Sequence, residues 1–494
     1  MVRASLVAAA ALIVAPSASA QMAVVTLKPI VATGAVSAID VELVLPKGPD
    51  RLTLWAPIVY PGSPGVADRL SAITATDATG TVSLATRDDP PVPGGFPYMR
   101  HWAAERSVVY PFRLRFRMAV QPPGGANGPP FGLRAVGGGV VGAGSTLLMF
   151  PDDSTVAETR VRWDLTALPV GSIASTSLGD GTSFIVKGPP EALQGAWILA
   201  GPAGRYPPVG AAGGFSATWL GRPTFEAPAE MAYTARGHDY LARYFPHLKP
   251  TPPYRVFLQF REQPPFGGAT ALTQSFMLAR GPLAPSETAV APRSTLFHEM
   301  IHQWVGNIQE PNGIASWFTE GLTNYYQDLL MLRGGFVTPA AYQAAINTLA
   351  EEYYTSKARN WSAAQITKVG FGDEEVRHTP YRRGALYFYD LDARIRAASG
   401  GKRTLDSVLF PMFLAREKGQ SFDNARWIAM VTAELGPGEK TRFERLIIDG
   451  IDTLAPQSDA FGPCFTRQPA TYAGNVPGYR WTRVVDVPDS RCAR

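Results

Sequence analysis

Thr295-Leu-Phe-His298-Glu299-Met-Ile-His302-Gln-Trp304-Val305 and Trp317-Phe-Thr-Glu320-Gly-Leu-Thr-Asn324-Tyr-Tyr326 are the two segments on which the reading of this chain turns. Few breakers interrupt either one, and the apolar spacing predicts helices over 295–308 and 316–332. Positions i and i+4 of a helix share a face, so the imidazoles of His298 and His302 can reach one ion. Glu299 lies beside the first of them, where its carboxylate can meet a bound water without touching the metal. Glu320 follows His302 by eighteen positions, and a turn expected at Pro311-Asn312-Gly313 lets the second helix lie back on the first. Two histidines and one glutamate with a fourth position open are a recognised ligand set for catalytic zinc.

Water held by such a zinc loses its proton near neutral pH, and Glu299 is placed to take that proton as general base. The chemistry expected is hydrolysis of a peptide bond. Asn324, one turn beyond Glu320, can orient a ligand imidazole through its second ring nitrogen; a solvent-facing side chain is the other reading of that position.

The rest of the chain sets the context. It has 494 residues, 46% of them hydrophobic and 18% charged, which is a globular composition and long enough for several domains. The formal charge of +5 is small for this length. No Lys/Arg block interleaved with aromatics stands out, so nucleic acid is not an expected partner. Arg3, the apolar stretch Leu6 to Val14 and the small-residue site Ala18-Ser19-Ala20 have the order of a signal peptide over 1–20. No later run reaches the ~20 apolar residues of a membrane span. The expectation is an exported protein, periplasmic or extracellular, of unspecified oligomeric state. Its two cysteines, Cys464 and Cys492, lie close to the end of the chain. In an oxidising compartment they are expected to form a disulfide, with two unpaired thiols as the alternative.

From Gln21 to about Thr224 short alternating stretches, such as Phe112-Arg-Leu-Arg-Phe-Arg117, are separated by Gly/Pro clusters. That pattern reads as a β-rich domain. Near Phe225 the texture changes. A helix is expected over 228–245, a strand over 254–260, and further helices over 338–354, 381–398, 405–418 and 422–435.

His298-Glu-Met-Ile-His-Gln-Trp-Val-Gly-Asn307 together with Trp317-Phe-Thr-Glu-Gly-Leu-Thr-Asn-Tyr-Tyr326 resembles the gluzincin metallopeptidases, in particular the aminopeptidase N and glycyl aminopeptidase families. The resemblance implies an α+β multidomain architecture. It comprises a β-rich N-terminal domain (21–224), a thermolysin-like catalytic domain with the zinc site (225–335), a helical C-terminal part (336–450) and an irregular tail (451–494). It also implies that Tyr381, in Pro380-Tyr-Arg-Arg-Gly384, matches the family tyrosine that steadies the tetrahedral intermediate; His378 is a second candidate for that role. Relatives carry a Glu on a Gly-rich edge strand to grip the substrate's free amine. The matching stretch here is Phe266-Gly267-Gly268-Ala-Thr270-Ala-Leu272, with Thr270 at that place and Glu262 as the nearby acid. A hydroxyl does not pair with an ammonium as a carboxylate does, so aminopeptidase and endopeptidase action both stay open. Gly267 and Gly268 are candidates to let a peptide backbone approach closely, or they form an ordinary turn after Pro264-Pro265. The competing class is a non-catalytic exported binding protein on a peptidase scaffold.

Overall fold

The computed structural model describes residues 22–91, 98–125, 127–208, 214–283, 291–311 and 313–492. The expected signal peptide lies outside them. The chain divides into two compact units, the first holding the described residues up to Ala203 apart from 125 and 127–130, the second holding those together with Gly204 onward.

The first unit is built of antiparallel sheets with one parallel pairing, between Ala23–Ala32 and Glu158–Trp163. Its largest sheet has seven strands, and the strand Phe112–Ala119 shows why the alternating pattern was readable. Phe112, Leu114, Phe116 and Met118 are buried, while Arg113 and Arg115 pair with Glu42 and Arg117 with Asp40 on the opposite face.

The second unit opens with a five-stranded sheet. Its strands are β1 (Gly204–Tyr206), β2 (Phe215–Leu220), β3 (Tyr254–Phe260), β4 (Ala269–Leu272) and β5 (Ser275–Arg280), in spatial order β1-β2-β3-β5-β4. Strands β2, β3 and β5 run parallel, and β4 is an antiparallel edge. Helix α1 (Ala227–Tyr244) links β2 to β3, as a parallel crossover requires. The expected boundary near residue 225 therefore falls inside this unit, because β1 and β2 hydrogen-bond into the sheet that contains β3.

The helices follow: α2 (Arg293–Val305), α3 (Ser316–Arg333), α4 (Pro339–Thr355), α5 (Ala363–Val369), α6 (Glu374–Ala398), α7 (Asp406–Glu417) and α8 (Asn424–Leu435). One continuous hydrophobic core runs from Phe215 to Cys492, so residues 225–335 and 336–450 share a core and are not separate bodies. Helix α2 stops three residues short of the expected end: Gly306 adopts φ +53°, and the Arg416 guanidinium donates to the Val305 carbonyl. Helix α6 begins seven residues before the expected start, running through Pro380. Pro380 stands inside the helix with no N–H to give to the preceding turn, and Asp373 caps the helix start by accepting from the Val376 N–H.

The tail is more ordered than its sequence suggested. Strands β6 (Phe465–Tyr472) and β7 (Val476–Arg483) form a hairpin on α4. Gln343 and Asn347 donate to the carbonyl of buried Trp481, whose N–H donates back to Asn347. Cys464 and Cys492 are joined by a disulfide. No helix among the described residues is long and apolar enough to cross a membrane.

Candidate active site

Helices α2 and α3 pack together and bring His298, His302 and Glu320 to one point. His302 Nε2 lies 3.1 Å from His298 Nε2, and Glu320 Oε2 lies 3.2 Å from His298 Nε2 and 3.5 Å from His302 Nε2. Ligands about 2.0–2.1 Å from a tetrahedral zinc stand roughly 3.3 Å apart. The three edges of this triangle bracket that value, and nitrogen–nitrogen–oxygen is a donor set zinc accepts. The residues present fit the ion.

Thr323, one turn after Glu320, orients one of the donors. Its hydroxyl donates to the Thr319 carbonyl at 2.6 Å and stands 3.3 Å from His302 Nδ1. With its proton committed, the oxygen is left to accept from Nδ1–H, which fixes the tautomer whose Nε2 lone pair faces the triad. The sequence offers Asn324 for this work, with a solvent-facing side chain as the other reading of that position. The structure places Asn324 on the cleft wall and the contact at its neighbour, because a one-residue step on a helix turns the side chain by about 100°.

Glu299 is buried beside the Ala271 N–H of β4, and its Oε2 has no hydrogen-bond partner among the described residues. Burial, together with the nearby Glu320 charge, pushes its pKa up to about 7. Tyr381 stacks on His298 with ring centroids 6.1 Å apart, and its hydroxyl lies beside the Glu320 carboxylate. Burial raises its pKa well above the usual tyrosine value, so the O–H keeps its proton. His378 sits edge-on behind Tyr381 at 5.2 Å, and burial, with Arg377 and Arg382 nearby, lowers its pKa to about 4.

These groups line a cleft of about 970 Å³. Gly267 and Gly268 line it too, but the close approach their missing side chains permit is taken by the chain itself. Asn127 Oδ1 accepts from the N–H groups of Phe266 and Gly267, each at 3.0 Å, and a Cβ on Gly268 would collide with the Gly128 carbonyl. Thr270 faces the cleft as a neutral hydroxyl donating to the Ala269 carbonyl at 2.5 Å. Glu262 is exposed and is not part of the cleft wall. Asn127 and Thr323 were not anticipated; the first is more than a hundred residues away in sequence, the second carried only a threonine in a helix as its signal.

Residues 292–383 match the sequence model of the M61 glycyl aminopeptidase family. No curated protein matches the chain by sequence. Among solved structures, an aminopeptidase N family protein from Idiomarina loihiensis shares the fold at TM-score 0.69. Its identity is 16%, with 92% of this chain and 81% of that one covered. An M1 zinc metallopeptidase from Deinococcus radiodurans aligns at TM-score 0.53 and 16% identity, over 88% of this chain and 95% of that one. The matched segment contains all three donors of the triad and Tyr381, and it sits in a fold shared along most of the chain. The chain is thus similar to aminopeptidase-like zinc metallopeptidases, over residues 292–383 to the M61 glycyl aminopeptidase family and in its fold to the aminopeptidase N and M1 structures.

Proposed function

We propose that this chain is an exported peptide hydrolase in which His298, His302 and Glu320 hold the zinc, Glu299 is the general base and Tyr381 is the donor to the developing oxyanion. Zinc, when bound, supplies an activated water and a positive charge for the substrate carbonyl. The unpartnered Oε2 of Glu299 on the cleft wall carries the proposal: it takes a proton from water and returns it to the leaving nitrogen. Ala271 N–H steadies that carboxylate from β4. Tyr381 keeps its O–H, so a donor is ready where negative charge appears. A binding protein that merely holds zinc has no use for a buried carboxylate oxygen left without a partner.

Strand β4 supplies the track for the peptide. Ala279 N–H donates to the Gly268 carbonyl across the β4–β5 pair, so by alternation Thr270 also hydrogen-bonds inward. The backbone of Ala269 and Ala271 then faces the other way, towards the side on which Glu299 lies beside Ala271. An extended peptide adds there as a further strand. The segment Arg3 to Ala20 supports export, as does the Cys464–Cys492 disulfide, a bond at home in oxidising compartments.

The test is hydrolysis of free and N-acetylated peptides before and after chelation. Cleavage lost with chelator and restored by zinc is the expected result. Preference for free amino ends makes it an aminopeptidase and preference for blocked ends an endopeptidase. No zinc-dependent cleavage of any peptide refutes the proposal.

A further inference from the structure

The outward edge of β4 is the peptide track, and the chain itself fills one end of it. Asn127 Oδ1 accepts from the N–H groups of Phe266 and Gly267, each at 3.0 Å, so the donors just before β4 are spent. The Gly128 carbonyl lies against the next residue, where a Cβ on Gly268 would collide with it. Gly268 has φ +130°, a backbone state that suits glycine. The buried Arg261 guanidinium donates to the Pro265 carbonyl at 2.6 Å, which holds the stretch that Asn127 grips. Asn127, Gly128 and Pro129 all line the cleft beside Gly267 and Gly268. The other end of β4 differs. Gln303 accepts there from the Gln274 N–H, and the cleft wall runs on past the end of α2 through Gly306, Asn307 and Thr319.

Strand geometry sets how much substrate fits towards the closed end. Glu299 lies beside Ala271, so the cleaved bond sits near that residue. Gly268 is three positions away, about 10 Å at roughly 3.4 Å per residue. An extended peptide running that way has room for about two residues before it meets Gly128. We propose that Asn127 and Gly128 restrict hydrolysis to chain ends. On the Gly268 side of the cleaved bond, the substrate carries no more than about two residues. Asn127 is the positioning residue, because its side chain ties the obstructing segment to the strand edge. Shape makes this selection, and no charge on the cleft wall is needed for it. The assignment rests on the peptidase reading above.

The test is calorimetric binding to the zinc-loaded Glu299→Gln protein, which needs no turnover. The probe is a Gly/Ala/Ser segment of about ten residues, roughly 34 Å when extended. It is joined to a folded carrier domain at its amino end, its carboxyl end or both. One singly joined form is expected to bind about tenfold more tightly than the doubly joined form, or better. Which form it is tells whether the amino or the carboxyl end enters. Adding Asn127→Ala is expected to bring that ratio close to one, with zinc content and melting temperature retained. Asn127→Asp, whose oxygen still accepts both N–H groups, is expected to preserve it. Equal affinity of all three forms, a ratio that survives Asn127→Ala, or no binding by any form overturns the assignment. Wild-type cleavage of a mixed peptide digest, read by mass spectrometry, keeps the two claims apart. Cuts far from both ends remove the role of Asn127 alone, and end-limited binding without cleavage removes the hydrolase reading alone.

Discussion

Gly321 on α3 and Gly384 on α6 meet backbone to backbone: a Cβ on Gly321 would stand 2.5 Å from Gly384 Cα, and one on Gly384 would collide with the Trp317 carbonyl. This crossing is what sets Tyr381, one turn before Gly384, against Glu320, the residue before Gly321. The glycine of the Pro380-Tyr-Arg-Arg-Gly384 segment thus serves packing, and the tyrosine's placement depends on it.

Gly384→Ala is accordingly expected to destabilise the protein. In an open helix the change gains up to about 1 kcal/mol, but here the added methyl meets backbone on the facing helix. Overpacking of this kind costs about 1–3 kcal/mol. Gly438→Ala, whose Cβ would meet nothing within 4 Å, is the control and should leave stability unchanged or raise it by up to about 1 kcal/mol. Chemical denaturation of both variants checks this; equal midpoints would contradict it.

Thr323→Val removes the oxygen that faces His302 Nδ1 while keeping the shape of the side chain. Loss of such an outer partner weakens metal affinity by about 10–100-fold. Thr323→Ser should retain most of the affinity. Competition with a chelator of known strength reads the difference directly, and unchanged zinc affinity in the valine variant would show that the hydroxyl does not orient the ring.

Some of this was legible from sequence and some was not, for physical reasons. The two histidines and Glu320 could be paired because helix geometry fixes which residues share a face. The first turns of α6, which line the cleft with Glu374 and His378, are not legible because Pro380 reads as a helix breaker. The β6–β7 hairpin was masked by Pro469, Pro477 and Gly478. Its stability comes from Trp481 docking on α4, a contact across more than a hundred residues. The unit boundary was placed too late because β1 and β2 look like their predecessors in sequence; only pairing with β3 assigns them to the later unit.

His238 on α1 predicts a dependence of stability on pH. It is buried among Phe215, Tyr254 and Trp304, with ring centroids 6.0, 4.9 and 6.1 Å away, and its Nε2 has no hydrogen-bond partner among the described residues. Burial lowers its pKa to about 4, against about 6.5 in an unfolded chain. Between those values the unfolded chain takes up a proton that the folded protein refuses. Stability from this group is therefore full above about pH 6.5 and declines as pH falls towards 4, by at most about 1.4 kcal/mol per unit. His238→Phe should flatten that part of the curve. Identical slopes between pH 7 and 5 in the two proteins would refute the assignment.

The disulfide predicts an effect of reduction. Cys464 and Cys492 close a loop with a sequence separation of 28, and a loop of that size is worth about 3 kcal/mol by chain entropy. The double serine variant should melt earlier and be insensitive to thiol reagents, whereas the wild type should lose stability when reduced. A wild type whose denaturation midpoint is the same reduced and oxidised would contradict this.

The most direct test of the central claim is the zinc content and peptide turnover of the Glu299→Gln protein, measured on one preparation alongside the wild type. One zinc per chain in both proteins is predicted, with turnover reduced by about a hundredfold or more in the variant. A zinc-replete Glu299→Gln protein that hydrolyses peptides at the wild-type rate would contradict it.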